Sequence, residues 1–316
     1  MSQSVHLTAQ IPLAAAGRRL DVVLAELFGS YSRSRLQEWI KLGSVQVDDR
    51  PATAKQRVRG GERVEVHARL LEQTDVEPQA IALDVRYADS ELLVINKPPG
   101  LVVHPAAGNP DGTLQNALLH HYPDLAGLPR AGIVHRLDKD TTGLMVVART
   151  LGAHKSLVEQ LQARTVHRGY IALVHSAVAA GGRVNAPIGR HPRDRLRMAV
   201  VAAGKPAVSH YRVLERFPAH TLLSVRLETG RTHQIRVHMA HLGHPLVGDP
   251  LYAGRQKLPP AASEFLRDAL AAYRRQALHA ARLELIHPTR ARPMCWEAEM
   301  PDDFAQLLDL LRIPGR

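Results

Sequence analysis

Leu20, Val23, Leu24 and Leu27 recur at helical spacing and predict a first helix. Gly29 and Ser30 break it. A second helix is predicted to start at Ser32 or Ser34, either of which suits an N-cap, and to stop at Gly43. Leu36, Trp39 and Ile40 form its apolar face, and Arg33, Arg35 and Lys41 lie off that face. Ser44–Val47 and the alternating Arg63–Val66 read as strands, with Asp48-Asp49 and Gly60-Gly61 as tight turns. These elements make a small α+β module over residues 18–75. A flexible lead-in is expected at residues 1–17 and a polar linker at residues 76–82.

From residue 83 to residue 316 strands and helices alternate. Leu92–Ile95, Gly132–Val134, Leu144–Ala148, Tyr170–Val174, Ser209–Leu214, Leu222–Leu227, Leu283–Ile286 and Cys295–Ala298 read as strands. Thr113–His120, Leu151–Ala163, Gln234–Leu242, Ala262–Arg274 and Phe304–Leu311 read as helices. Strands outnumber helices, which predicts an α+β domain with a mixed, largely antiparallel sheet. Pro98, Pro99 and Gly100 end the first of these strands.

Charge changes the picture more than overall composition does. The 316 residues carry 41 Lys and Arg against 30 Asp and Glu, a net +11. Such an excess suits a polyanionic partner, because each cation that meets a phosphate releases a counterion. Cys295 is the only cysteine, which excludes an internal disulfide and a cysteine zinc site. No apolar run is long enough to cross a bilayer and no secretory leader is visible, so a cytoplasmic protein without a membrane partner is expected. His233, His238, His241 and His244 lack the pair four residues apart of a helical zinc site, so no metal is expected. No Gly-rich phosphate loop precedes His135-Arg136, so no nucleotide cofactor is expected either.

Two polar segments carry candidate chemistry. His135-Arg136-Leu137-Asp138-Lys139-Asp140-Thr141-Thr142-Gly143 lies between apolar strands that fix its ends. Arg136 and Lys139 favour an ionised Asp138, available as nucleophile or base. The same residues also fit a structural turn in which Thr141 and Thr142 bond the backbone. Thr229-Gly230-Arg231-Thr232-His233-Gln234-Ile235-Arg236 leads into a helix, and arginines at a helix start suit a phosphate or an ordinary surface.

Taken together, these segments resemble the RluA/RluD-type pseudouridine synthases. His135-Arg136-Leu137-Asp138 through Gly143 is similar to their central motif. Asn96-Lys97-Pro98-Pro99-Gly100-Leu101-Val102-Val103-His104-Pro105 resembles the upstream motif, Arg168-Gly169-Tyr170 the tyrosine strand, and Gly230 through Arg236 the downstream motif. Gly243-His244-Pro245-Leu246-Val247-Gly248-Asp249 continues that last resemblance, which runs from about residue 80 to the end. Ala106 departs from the Gly that the family pattern has after His104-Pro105. The N-terminal α-α-β order resembles a small RNA-binding module of a ribosomal small-subunit protein.

The resemblance implies a pseudouridine-synthase-like catalytic domain and an isomerase that needs no cofactor. It implies Asp138 as the catalytic carboxylate, Tyr170 as a platform for the target base that helps with proton transfer, and Arg236 as the partner that keeps Asp138 ionised. RNA contacts are implied for Arg33, Arg35, Lys41, Lys97, His104, Arg136, Arg231 and His233. Within the family the resemblance is to members that modify uridines of large-subunit ribosomal RNA, which implies a monomer acting in ribosome biogenesis. A structured RNA such as tRNA, or a non-catalytic RNA-binding assembly factor, are the alternatives.

Overall fold

The computed structural model describes residues 4–29, 31, 33–69, 76–106, 108–194, 196–254, 258 and 262–313. Ser30, Ser32 and residues 70–75 lie outside them, and with them one breaker, one proposed cap and the end of the N-terminal module.

The N-terminal unit comprises β1 (Ser4–Gln10), α1 (Leu20–Leu27), α2 (Arg33–Lys41), β2 (Val45–Val47), β3 (Arg50–Pro51) and β4 (Arg63–Arg69). Its sheet runs β1-β4-β2-β3. The apolar faces of α1 and α2 close over it through Leu20, Leu24, Leu36 and Trp39 against Val45, Val64 and Val66. The flexible lead-in expected at residues 1–17 is corrected from Ser4 onward, residues 1–3 lying outside the described ones. Ser4–Gln10 pairs with β4 from Ser4↔Arg69 to Gln10↔Arg63. The reason is a period-two pattern: Val5, Leu7 and Ala9 face this core while His6, Thr8 and Gln10 alternate with them.

Residues 76–82 are not a free linker. Val76 and Ile81 pack on the second core, Gln79 N–H donates to the carbonyl of Asn116 at 3.0 Å, and Asn116 Nδ2 donates to that of Glu77 at 2.7 Å. Backbone hydrogen bonds to a buried helix replace the solvent contacts that the polar composition implied.

The larger domain then follows in chain order. It contains β5 (Val85–Ala88), β6 (Leu92–Lys97), α3 (Leu114–His121), β7 (Thr142–Ala148), α4 (Leu151–Gln162), β8 (His167–His175), β9 (Gly182–Asn185), β10 (Ile188–Arg190) and β11 (Met198–Val200). After these come β12 (Val208–Arg216), β13 (His220–Leu227), α5 (Gln234–His241), α6 (Glu264–Ala272), β14 (Leu278–Ile286), β15 (Pro293–Glu297) and α7 (Asp302–Arg312). One sheet runs β5-β6-β7-β14-β8-β13-β12-β9, with β15 added on β14. The β7–β14 pair is parallel and the other pairs of this sheet are antiparallel.

Alternation within the strands builds two layers. Met145 and Val147 of β7 join Tyr170 and Ala172 of β8 in a core with Leu114 and Leu118 of α3 and Ile235 and Met239 of α5. Leu144 and Val146 point the other way, against Leu157 of α4. Leu173 and Leu222 meet α6 and α7 on that same side. A strand buried on both faces reads as a continuous apolar run, as Thr142–Ala148 does. Gly132–Val134 is not a strand. Pro129 opens a 3-10 turn that ends at Gly132, and Ile133 makes only a single bridge to Val147.

Candidate active site

The Asp138 loop joins that bridge to β7 and is tied down along its length. Leu137 is buried, and His135 Nε2 accepts the N–H of Val146 at 3.0 Å. Thr141 N–H donates to the carbonyl of Asp138 at 3.1 Å, and Gln276 Nε2 donates to Thr141 Oγ1 at 3.0 Å. Gly143 has φ +112, and a Cβ there would run into the backbone of Ala280 on β14. Burial, then the charge of Arg168, pushes the His135 imidazole down to about 3, which keeps the ring neutral.

Arg236 stands on the first turn of α5. Gln234 fixes that turn: its Oε1 accepts from Thr229 Oγ1 at 2.7 Å and Arg231 N–H at 3.0 Å, and its Nε2 donates to the carbonyl of Val208 at 2.9 Å. The guanidinium bridges two carboxylates. Nε and Nη2 donate to Asp249 at 2.7 and 2.8 Å, and Nη1 donates to Asp138 Oδ2 at 3.1 Å. The side chains of Arg236 and Asp249 are 5% and 0% exposed, and that of Asp138 is 15% exposed. Burial disfavours the Arg236 cation, but the hydrogen bonds and charges of Asp249 and Asp138 more than offset it and hold the group above its ordinary range. Arg236 is therefore a permanent charge beside Asp138.

Asp138, Tyr170 and Arg236 line one cavity of about 610 Å³, a size suited to a small ligand or a nucleotide. Tyr170 comes from β8, and burial raises its phenol above the ordinary value. Exposed Arg130, Arg136, Arg164 and Arg231 sit at the cavity walls, with His104, Arg168 and His233 deeper. Burial, then Arg136 and Arg130, lowers the His104 imidazole. The geometry offers two carboxylates, Asp138 held by Arg236 and Glu228 held by His210 and Arg164, with one aromatic wall and an arginine-rich approach.

Seven of the residues singled out in the sequence meet in this cavity: His104, Arg136, Asp138, Tyr170, Arg231, His233 and Arg236. Four do not. Lys97 is 0% exposed, and its Nζ donates to the carbonyls of Pro98, Leu101 and Lys139 at 2.8, 2.9 and 2.7 Å. It ties two loops together and has no donor left for RNA; burial pushes it down to about 7. Arg35 is only 8% exposed and pairs with Glu38. Arg33 is held, with Arg19 and Gln37, on the buried carboxylate of Asp21. Lys41 is exposed on α2, away from the cavity lining. Asp249, Tyr252 and Arg168 were not anticipated as site residues. The only signal was their presence inside or beside the quoted motifs, since no spacing rule connects Asp249 to Arg236. Among the described residues, no cluster of three or more His, Cys, Asp or Glu could hold a metal, and no helix is long and apolar enough to cross a membrane.

Residues 91–241 match the RNA pseudouridylate synthase family and residues 18–64 match the S4 domain. The chain is 59% identical over 304 residues to ribosomal large subunit pseudouridine synthase D of Xanthomonas campestris, covering 96% of this chain and 92% of that one. It is 54% identical to the protein of that name from Escherichia coli K12, covering 99% and 96%. Among solved structures it resembles human RNA pseudouridylate synthase domain containing 4, with a TM-score of 0.57 and 29% identity over 72% of this chain and 92% of that one. The human domain containing 1 protein gives 0.54 and 26% over 76% and 99%. The chain belongs to the RluA/RluD family of RNA pseudouridine synthases, isomerases that act on uridine in RNA.

Proposed function

We propose that this enzyme converts uridines of large-subunit ribosomal RNA to pseudouridine, with Asp138 as the reacting carboxylate. The supporting observation is the buried Arg236 bridge, which gives Asp138 a fixed counter-charge at the wall of a nucleotide-sized cavity. A non-catalytic RNA binder has no use for an ionised carboxylate on a surface that meets phosphates. Relatives named for the large ribosomal subunit, at more than half identity over nearly the whole chain, support the substrate.

The reaction breaks the bond from ribose C1′ to uracil N1 and makes one from C1′ to C5. N1 gains a proton and C5 loses one, so no redox partner is needed. The target base has to leave its stack to reach Asp138. Tyr170 supplies the flat surface for it inside the cavity, and the surrounding arginines suit the flanking phosphates. The N-terminal module adds a second RNA contact, through exposed cations such as Lys41 rather than Arg35. The enzyme acts as a monomer in the cytoplasm, where ribosomes are assembled.

The test is tritium release from RNA labelled at uridine C5, with large-subunit RNA and tRNA as parallel substrates. Wild type should release tritium from the large-subunit RNA and Asp138→Asn should not. Equal release by the two proteins overturns the role of Asp138, and release from tRNA alone overturns the substrate.

A further inference from the structure

Tyr252 lies just beyond the last matched motif and is 9% exposed. Its hydroxyl oxygen accepts the N–H of Met198, at the start of β11, at 2.8 Å. A peptide N–H cannot accept in return, so the hydroxyl hydrogen goes to another partner. His233 Nδ1 lies 2.8 Å from the same oxygen. The phenol therefore donates to Nδ1, and the proton of the neutral imidazole sits on Nε2. Nε2 is the nitrogen turned to Asp138, 3.9 Å from Oδ1, while Arg236 holds Oδ2.

Two further observations make this more than packing. His233 adopts φ 56 and ψ 22 at the N-cap of α5, a left-handed conformation. A residue with a Cβ is strained there, and such strain persists where the surroundings hold it. The Tyr252 ring also carries the guanidinium of Arg236 at 5.1 Å and that of Arg197 at 5.2 Å from its centroid. Arg197 and Met198 belong to the β10–β11 hairpin, whose tip presents Arg193 and the 78% exposed Leu196. One phenol thus touches the hairpin, the imidazole and the guanidinium that face Asp138.

We propose that Tyr252 is a positioning residue for the isomerisation: it fixes His233 with Nε2–H toward Asp138 and links the β10–β11 hairpin to the reacting carboxylate. The inference rests on Asp138 being that carboxylate. Donors on different oxygens set the plane of the carboxylate, and the 3.9 Å gap closes when RNA expels water and the site tightens. RNA that engages the basic hairpin tip steadies Met198, and through Tyr252 steadies Asp138.

Tyr252→Phe removes the hydroxyl and keeps the ring on which both guanidinium groups rest. Two measurements on the full chain decide the matter. Two-bond 1H–15N correlation spectra report the tautomer of His233 without RNA: Nε2–H is expected in wild type and a mixture in Tyr252→Phe. Steady-state kinetics on a large-subunit RNA transcript should give kcat lower by about tenfold or more, with KM within about twofold, as misorientation without lost binding requires. An Nδ1–H tautomer in wild type, or wild-type kcat in a folded Tyr252→Phe, overturns the proposal. Because the tautomer is read without substrate, an active Asp138→Asn would remove the role of Asp138 and leave the Tyr252–His233 link separately decided.

Discussion

Asp249, its side chain 0% exposed, holds the guanidinium of Arg236 against Asp138, and its removal has a calculable cost. Its Oδ1 accepts three hydrogens, from Arg236 Nη2 at 2.8 Å, Leu251 N–H at 2.9 Å and Tyr252 N–H at 3.1 Å. Oδ2 accepts Arg236 Nε–H at 2.7 Å. In Asp249→Asn the carbonyl oxygen takes the place of Oδ1, which has three donors. The new amide N–H then faces the N–H of Arg236 Nε, donor against donor. With side chains 5% and 0% exposed, water cannot compensate. Breaking a buried pair from one side costs on the order of 3–5 kcal/mol. For a catalytic domain of this size that lowers Tm by roughly 6–20 °C. Urea unfolding at unchanged m measures the free energy directly. The double variant Arg236→Met/Asp249→Leu separates stability from chemistry. It replaces the pair by apolar volume, which is often neutral for stability, yet leaves Asp138 without its cation. Stability should return to near wild type and tritium release should not. A loss below about 1 kcal/mol in Asp249→Asn, or an active double variant, refutes the reasoning.

The parts of the fold that could be read in the sequence are those where one periodicity acts alone. Leu20–Leu27 and Leu151–Gln162 show a single apolar face and form helices with those bounds or nearly so. Ser4–Gln10 was missed because its outward residues are His, Thr and Gln, so polar content masked the alternation of Val5, Leu7 and Ala9. The hairpin of β10 and β11 has three residues per strand, too few for any period to register. In the site, Asp138 and Arg236 lie 98 positions apart, and their 3.1 Å contact follows only from β7 and α5 being packed on one core. Charge was the least reliable guide. Lys97 and Arg35 look like surface cations in sequence, but three carbonyls hold the first and Glu38 holds the second inside the fold, while Arg33 is exposed and yet held on Asp21. A buried cation and a solvated one have the same letter; only the partners distinguish them, and those partners are distant along the chain or, like Pro98 and Glu38, hidden in local geometry.

Lys97→Met should destabilise the catalytic domain by about 1–3 kcal/mol in urea unfolding, because the buried carbonyl of Leu101 loses its donor while those of Pro98 and Lys139 are only part-buried; a loss of only RNA affinity would restore it to the surface role. Deleting residues 1–75 should weaken RNA binding in filter assays and flatten its salt dependence while sparing turnover of a short substrate, and unchanged binding refutes the second RNA contact. The last prediction concerns acid. His220 is 0% exposed, neither ring nitrogen has a hydrogen-bond partner, and the ring lies 5.2 Å from that of His175. Burial, then His175, pushes it down to about 4 from 6.5. The folded-state value is depressed, so the unfolded chain takes up this proton first as pH falls. The stability is full above pH 6.5, declines between 6.5 and 4, and has gone below 4. The drop from 6.5 to about 4 corresponds to about 3 kcal/mol. His220→Leu has no such proton, and it also removes an unpaired polar group from the core. Its unfolding free energy should lie above that of wild type, with the gap widening by about that amount from pH 7 to pH 4. Parallel curves for the two proteins across this window mean that His220 titrates in the folded protein as it does in the unfolded chain, which a sealed, unpartnered ring does not permit.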